Sequence, residues 1–302
     1  RPRPTVYIVS GEDSADRAYR SLAAYLGLEH VVRFPERTDY PWKDDAPDDA
    51  VVAARCAALG RVARGENCVL VASARALLRC VPPRESGYWA STRFAVGEEV
   101  PFEDVPRMLV GMGYTGSDAA DAPGLFWVHG DAVDVYPAQT TVPVRIEFFG
   151  DEIDRIRRMV ASTGQTIGDE DEVEIFPCRE LALTDEAVKR ISAALYLPAQ
   201  NDTALAAMLE MVYLPLLYER TESPLAHLSE DALVILSEPR SLFDDCMRAY
   251  EDLERRAGDA KVARLDGLYV RPQELDFGRQ QRLNYVSLIR AGGAVTAELK
   301  LE

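Results

Sequence analysis

Residues 124–158 read GLFWVHGDAVDVYPAQTTVPVRIEFFGDEIDRIRR, and their pattern is the clearest indicator of the fold. Four runs rich in aromatic and β-branched residues are separated by turns, two of which are Gly-Asp pairs. In the third run, apolar residues at even positions alternate with Arg145, Glu147 and Phe149, which is the period of a half-buried strand. The stretch therefore predicts an antiparallel meander with one apolar face and one face free for a partner. The predicted strands are residues 125–128, 132–136, 142–149 and 153–159.

Both flanks of this stretch have the pattern of an open α/β sheet. Residues 5–10, 30–34 and 68–72 are apolar runs typical of strands covered on both faces, and helical patterns lie between them. His30 is expected to begin the second buried strand. Asp48 or Asp49 is expected to cap the helix that follows it.

The α/β pattern returns after the β-rich stretch, which suggests one α/β domain interrupted by another domain. Thr184 is expected to cap one helix, and Thr203–Leu217 to form another. A long helix should end near Gly258. The remaining predicted strands are residues 233–237, 268–270, 282–290 and 294–299. The predicted segments are a first α/β part over 1–88, a β-rich domain over 89–179 and a second α/β part over 180–302.

Two local predictions concern the edges of the β-rich domain. Residues 96–112 should contain a short strand and then a helix, with the helix capped near Asp104 and with Pro106 in its first turn. Residues 173–176 are expected to close the meander.

The composition narrows the class of partner. The 302 residues include 34 basic and 50 acidic side chains, so the formal net charge is -16. Such a surface repels phosphate backbones, and protein partners are favoured over DNA. No apolar run approaches the roughly 20 residues that span a bilayer, and five scattered cysteines favour a reducing cytoplasm. Neither Arg1 nor Glu302 resembles a natural terminus, so we expect a piece of a longer cytoplasmic protein.

Motifs for catalysis or cofactor binding are weak. Residues 111–116 match GxGxxG, but they follow a predicted helix and lead into SDAADAPG, so a helix stop and a turn are expected. No GxxxxGK[ST] sequence is present to bind ATP phosphates. The three histidines have no metal-ligand spacing, and the acidic residues 169–172 are expected to form a solvated turn. We expect no catalysis, cofactor or metal in this chain.

Several motifs carry a resemblance to a known family. They are Gly113-Tyr114, GLFWVHG at 124–130, VDVYP at 133–137, PVRIEFFGDEID at 143–154, STGQ at 162–165 and VEIFP at 173–177. The chain resembles the second domain of the bacterial excinuclease protein UvrB and of the transcription-repair coupling factors. Only fifteen residues separate Phe34-Pro35 from the helix at Val51, too few for the tyrosine-rich hairpin of UvrB. The spacing favours the coupling factors.

The resemblance implies a fold, partners and a function. The fold would be a composite open α/β domain, helicase-like but without a P-loop, interrupted by a β-rich domain that recruits the excinuclease protein UvrA. The whole protein would be an ATP-dependent DNA translocase, with RNA polymerase and DNA bound by domains outside this chain. Within the whole protein, this module would also fold back on the C-terminal domain. Two alternatives to the recruiting role remain, an autoinhibitory module that binds that C-terminal domain and a fragment of a helicase-like DNA-repair ATPase.

The resemblance also implies a set of contact residues. In UvrB the contact with UvrA depends on three arginines, and the matching positions here are Gly116, Trp127 and His129. The charge-assisted contacts of those arginines are therefore missing. We predict protein binding through Thr115, Gly116, Trp127, His129 and Arg145, because aromatic anchors also form hot spots. Whether Trp127 faces a partner or the core is left open.

Overall fold

The computed structural model describes residues 3–40, 42, 48–137, 139–181, 189, 214–259, 265–275, 280–289, 295–297 and 300–301. The chain divides into two compact units. The parallel-sheet unit comprises residues 1–45, 58–86 and 218–302, and the meander unit comprises residues 46–57 and 87–217. Helices and strands are mixed throughout, which confirms the α/β class at that level. The domain boundaries at residues 88 and 179 stay a prediction.

The elements are named in chain order. The α-helices are α1 (Glu12–Leu26), α2 (Asp49–Ala63), α3 (Val105–Gly111), α4 (Leu214–Leu217) and α5 (Pro239–Asp259). The strands are β1 (Thr5–Val9), β2 (Val31–Phe34), β3 (Val69–Ser73), β4 (Thr92–Ala95), β5 (Thr115–Gly116), β6 (Leu125–His129), β7 (Ala132–Val135), β8 (Val144–Phe149), β9 (Glu152–Met159), β10 (Thr166–Glu170), β11 (Glu172–Ile175), β12 (Leu233–Ser237), β13 (Gln281–Tyr285), β14 (Ser287–Ile289), β15 (Val295–Ala297) and β16 (Lys300–Leu301). Short 3-10 turns cover 28–30, 75–77, 84–86, 102–104, 224–227 and 272–274.

The parallel-sheet unit contains a six-stranded sheet in the order β16-β13-β12-β1-β3-β2. All its pairs are parallel except β13 with β16. Strands covered on both faces need apolar residues at successive positions, which explains the continuous runs in β1 and β3. Helix α1 covers one face by packing Ala15 and Ala23 against Val9, Val31 and Val71. Asp48 caps α2, since its Oδ1 accepts from the backbone N–H of Ala50 at 3.0 Å, as predicted.

Several predictions for this unit need correction. Residues 268–270 form a turn with one bridge between Tyr269 and Arg79, and the predicted strand over 282–290 is two strands, β13 and β14. His30 is exposed, because it lies in a 3-10 turn and the sheet's edge strand β2 begins one residue later. The helix expected at Thr184 and most of the one over Thr203–Leu217 lie outside the described residues.

The meander unit contains the sheet β10-β9-β8-β7-β6-β5. The four predicted meander strands are present as β6 to β9, and they pair antiparallel. Strand β5 adds to β6 in parallel. Buried side chains on one face of this sheet form a core with Val105 and Leu109 of helix α3. The residues they come from include Phe126, Val133, Val135, Val144, Ile146, Phe148, Ile153 and Ile156.

Three details of this unit differ from the prediction. The short strand expected within residues 96–112 lies just before them, as β4. Residues 173–176 do not close the meander, because β11 pairs with β4 in a separate two-stranded sheet and β10 occupies the place beside β9. Asp104 precedes α3, but its side chain makes no capping hydrogen bond. Pro106 does lie in the first turn.

A buried ion pair fixes the end of the meander unit against helix α2. The Nε atom of Arg55 donates to Oε1 of Glu180 at 2.5 Å, and both side chains are almost wholly buried. Next to it, Arg179 pairs with Asp49 at 2.6 Å. Buried charges persist only when they are paired, so these contacts tie residues 179–180 firmly to the helix. In the described part of the chain no helix is both long and apolar enough to span a bilayer.

Candidate protein interface

The six-stranded sheet of the meander unit has two unlike faces. Burial alternates along β8, where Val144, Ile146 and Phe148 are buried and the residues between them are partly or fully exposed. The buried side packs on α3, and the opposite side carries charged and aromatic side chains. We call this opposite side the front face. Its residues include Trp127, His129, Ala132, Asp134, Arg145, Glu147, Phe149, Glu152, Arg155, Arg157 and Asp169.

Asp134 is the centre of the front face. It lies opposite Trp127 on β6 and opposite Arg145 on β8. Arg145 binds it in a bidentate manner, with Nε donating to Oδ1 at 2.6 Å and Nη2 donating to Oδ2 at 2.7 Å. The hydrogen bond that the Arg145 guanidinium donates to Asp134 raises the pKa of Arg145 above its ordinary value. Asp134 is only 4% exposed, so this pair orders the middle of the face.

The two aromatic rings of β6 cover one side of Asp134. The rings of Trp127 and His129 stack with centroids 4.0 Å apart and an interplanar angle of 27°. Nε2 of His129 lies 3.2 Å from Oδ2 of Asp134. The same nitrogen makes no aligned hydrogen bond, so we interpret the approach as a close polar contact. The stacked rings and the buried carboxylate form one connected cluster.

Further ion pairs extend this cluster towards β10. Arg157 pairs with Glu147, its diagonal neighbour on β8. Arg155 lies 3.8 Å from Asp169 of β10. Opposite charges on adjacent strands stabilise a sheet locally, and they also cancel one another's field. The front face is thus a ladder of acids and arginines beside an aromatic stack.

The predicted contact residues fall into two groups. Trp127, His129 and Arg145 meet around Asp134, so Trp127 faces away from the core. Thr115 pairs with Leu125 on the edge strand β5 and shares the front side with it. Gly116 points to the other side, where an added Cβ would lie 3.4 Å from the ring of Phe126. Only part of the predicted set therefore lies together on the front face.

Sequence reasoning missed Asp134, Glu147 and Phe149. A signal for Asp134 was available, because the two-residue Gly130-Asp131 turn sets the β6–β7 register and places Asp134 across from Trp127. Phe149 was also predictable, because it occupies an outward position in the alternation of β8, where a polar residue would be expected. Its side chain is 82% exposed.

The other candidate motifs have structural roles. Helix α3 ends at Gly111, the buried Tyr114 donates its hydroxyl to the carbonyl of Phe176 at 2.9 Å, and residues 115–116 are strand β5. The GxGxxG match is therefore a helix stop and a turn, as predicted.

The acidic residues 169–172 lie at the end of β10 and the start of β11. Asp169 pairs with Arg155, Glu170 with Arg158, and Glu172 with Arg93. Among the residues that the structure describes, no group of three or more histidine, cysteine or acidic side chains is placed to hold a metal ion. All five cysteines are buried thiols.

Comparison with known proteins identifies the unit that carries the front face. The family profile described as "UvrB interaction domain" matches residues 92–181. Residues 92–181 are a UvrB interaction domain. The match includes α3, β4 to β11 and the whole front face. The resemblance to the UvrB-like module of the coupling factors is thereby supported by an independent comparison.

Relatives of the UvrB interaction domain come from two kinds of repair protein. The transcription-repair-coupling factor of Myxococcus xanthus is 35% identical over 198 residues, which are 63% of this chain and 16% of that protein. UvrABC system protein B of Bifidobacterium longum is 36% identical over 177 residues, 58% of this chain and 25% of that protein. The UvrABC system protein B of Lactiplantibacillus plantarum is 34% identical over 227 residues, 69% of this chain and 34% of that protein. The chain spans only 16% to 34% of the length of these relatives, and its residues 92–181 carry the UvrB interaction domain.

Proposed function

We propose that this chain is a non-catalytic docking module of a transcription-repair coupling factor that recruits the excinuclease protein UvrA to stalled RNA polymerase. The observation that carries the proposal is the front face, an open and internally ordered surface within a UvrB interaction domain. A surface whose side chains are already held in place loses little entropy when a partner binds. Trp127, His129 and Arg145 would form the centre of the contact.

The parallel sheet supports a scaffold role over an ATPase role. In open α/β sheets, ligands bind at the carboxyl ends of the strands where the connections diverge, which here is the end of β1 between β12 and β3. Helix α1 begins there with Glu12 and Asp13 in its first turn. Carboxylates at that position repel phosphate groups, and Glu12 is already paired with Arg33 at 2.5 Å. We infer a helicase-like domain that has lost nucleotide binding.

The proposal is tested by binding. The whole chain is titrated into purified UvrA, and the dissociation constant is measured by calorimetry or interferometry. We expect a complex at micromolar or lower concentration, and a Trp127→Ala variant that binds at least about tenfold more weakly. Tyr25→Ala removes an aromatic side chain that is 89% exposed on α1, in the other unit, and serves as the control.

The outcome separates the proposal from its alternatives. A folded chain that forms no complex with UvrA at tens of micromolar contradicts the recruitment role. Binding that is equally weakened by Tyr25→Ala and Trp127→Ala contradicts the front face as the site. Binding only to the C-terminal part of the whole coupling factor would favour the autoinhibitory alternative.

A further inference from the structure

The parallel-sheet unit contains a cavity of about 310 Å³ at the carboxyl ends of its strands. It is lined by Ile8 near the end of β1, by Leu236 near the end of β12 and by Ala74 just after β3. Helix α5 and the 3-10 turns at 75–77 and 272–274 supply most of the remaining wall. In open α/β sheets, ligands bind at this edge, where the connections between strands diverge. The cavity therefore lies where the fold favours ligand binding.

The chemistry of the cavity is apolar. The described residues that line it carry no charge, and most of them, such as Leu77 and Leu242, are buried aliphatic side chains. Burial raises the pKa of the Cys246 thiol to about 12, so this group stays neutral. The acidic first turn of α1 belongs to the other face of the sheet, because α1 packs on Val9 while Ile8 points to the opposite side. Such a lining disfavours charged ligands and suits apolar ones.

The walls of the cavity are fixed by hydrogen bonds within the unit. Oγ of Ser73 accepts from the backbone N–H of Ala76 at 3.1 Å, which fixes the start of the first 3-10 turn. The backbone N–H of Val270 donates to the carbonyl of Leu78 at 2.8 Å, which ties the segment before the second turn to the first. A cavity with walls that are already ordered loses little entropy when a ligand enters.

Backbone strain at the edge of the cavity is an independent indication of a ligand site. Glu238 has φ +54°, and it is the only non-glycine residue with positive φ among those that the structure describes. It connects β12 to α5 directly before Pro239, which lines the cavity. Its backbone N–H donates to the carbonyl of Tyr285 at 2.7 Å. Strained residues of this kind cluster at ligand sites, because they persist only where the surrounding structure holds them.

We propose that this cavity binds a compact, uncharged aromatic molecule, a function of the parallel-sheet unit that goes beyond docking through the meander unit. An apolar cavity of about 150 Å³ is large enough to bind benzene. The cavity here has about twice that volume, which suits a bicyclic ring system. The ligand enters between Phe243 and Gln273, two lining residues with exposed side chains. The amide of Gln273, which donates to Sδ of Met247 at 3.2 Å, is the polar group at this entrance.

Indole is the probe for the test, because it is a soluble bicyclic aromatic molecule without charge. Its dissociation constant for the whole chain is measured by calorimetry, and we expect saturable binding below about 1 mM. Indole-3-acetate adds a carboxylate to the same ring system. It should bind at least about tenfold more weakly, because the cavity cannot solvate that charge.

Two substitutions close the cavity from different sides. Cys246→Leu fills part of it from α5, and Gln273→Trp blocks its entrance, so each should weaken indole binding at least about tenfold. The matched controls are Cys246→Ala, which leaves the cavity open, and Gln165→Trp, at an exposed turn of the meander unit. Each control should change the dissociation constant less than about threefold. Thermal unfolding curves check that every variant is folded.

The outcomes are separate from those of the docking proposal, because UvrA is absent from the measurement. No saturable binding of indole by the folded chain at up to about 5 mM overturns this inference and leaves the recruitment role unaffected. Binding that neither Cys246→Leu nor Gln273→Trp weakens also overturns it, because the indole would then lie elsewhere. Equal affinity for indole and indole-3-acetate contradicts the selection against charge.

Discussion

Asp134 is the side chain on which the order of the front face depends. It is buried, and it holds Arg145 by two short hydrogen bonds while it contacts the imidazole of His129. The buried carboxylate of Asp134 is tolerated because Arg145 remains charged, and the guanidinium of Arg145 is in turn stabilised by the charge of Asp134. The pair therefore couples the position of a β7 residue to that of a β8 residue.

We expect Asp134→Asn to destabilise the chain by about 1–3 kcal/mol, because it removes the carboxylate that binds the half-buried cation of Arg145 with two hydrogen bonds. The free energy of unfolding in urea measures the change. Asp169→Asn is the control, because Asp169 belongs to the same ladder but its side chain is 67% exposed, so we expect less than about 0.5 kcal/mol. Equal effects of the two substitutions would contradict the central role of Asp134.

Gly113 is constrained both by its backbone conformation and by a neighbouring side chain. It has φ +90°, and a Cβ built there would lie 2.3 Å from Cγ of Arg179 and 3.3 Å from its backbone nitrogen. Arg179 cannot easily move away, because it is buried and paired with Asp49. The glycine is therefore required both by its backbone angle and by the close approach of another segment.

Gly113→Ala should cost at least about 2–3 kcal/mol, from backbone strain and from the displaced arginine. Gly130→Ala is the matched control, since Gly130 also has positive φ, +56°, but no heavy atom lies within 4 Å of the added Cβ. We expect the control to cost about 1 kcal/mol. Similar melting temperatures for the two variants would show that the contact with Arg179 is not restrictive.

At the scale of elements, the segment after β2 is held by a buried ion pair. Arg37 donates to Asp39 through Nε at 2.9 Å and through Nη2 at 2.6 Å, and Arg79 donates to the carbonyl of Asp39 at 3.4 Å. Burial alone would raise the pKa of Asp39, but the hydrogen bond and charge of Arg37, with the charge of Arg79, hold it below its usual 3.8. The segment thereby gains stability from an ionised carboxylate.

This arrangement predicts a pH dependence of stability. Because the pKa of Asp39 is lower in the folded chain than in the unfolded chain, its contribution is present above the unfolded value of about 3.8. It is lost as the pH falls through that value towards the folded pKa. Asp39→Asn should lower the free energy of unfolding at pH 7 and flatten its decline between about pH 5 and pH 3. The exposed Asp118→Asn is the control, and an unchanged acid slope in Asp39→Asn would contradict the prediction.

Across the whole molecule, the net charge of -16 and the acidic first turn of α1 both disfavour the binding of a phosphate group. A phosphate group placed at the end of β1 would meet Glu12 and Asp13 as well as the general repulsion of the chain. The strand order places the end of β1 where open α/β sheets bind ligands, and the two acidic residues at that edge disfavour a phosphate group.

We therefore expect no nucleotide binding by this chain. Millimolar ATP with Mg²⁺ should shift its melting temperature by less than about 1 °C, because a ligand that does not bind the folded state adds no stability. Glu12→Lys with Asp13→Ser tests the electrostatic reason, since the reversed charge should permit weak phosphate binding if repulsion alone prevents it. A clear upward shift with the unsubstituted chain would contradict the scaffold role.

Much of this fold follows from local patterns in the sequence. The alternation in residues 142–149 is enough to assign a half-buried strand, and the apolar runs of β1 and β3 are enough to assign a covered sheet. These features were predictable because the period of side chains along a strand is a property of neighbouring residues. The family motif at 124–158 likewise needs no tertiary information.

Local sequence patterns are sufficient to predict the meander, the α/β class and the family of residues 92–181. They do not show that β11 pairs with β4, that Asp134 contacts Arg145 and His129, or that Arg157 pairs with Glu147, because these contacts exist only in the folded chain. The physical reason is that local periodicity specifies which side of a strand a residue occupies, whereas its partners depend on the register between strands. That register is set by turns and by packing against distant segments, which no single stretch of the chain contains.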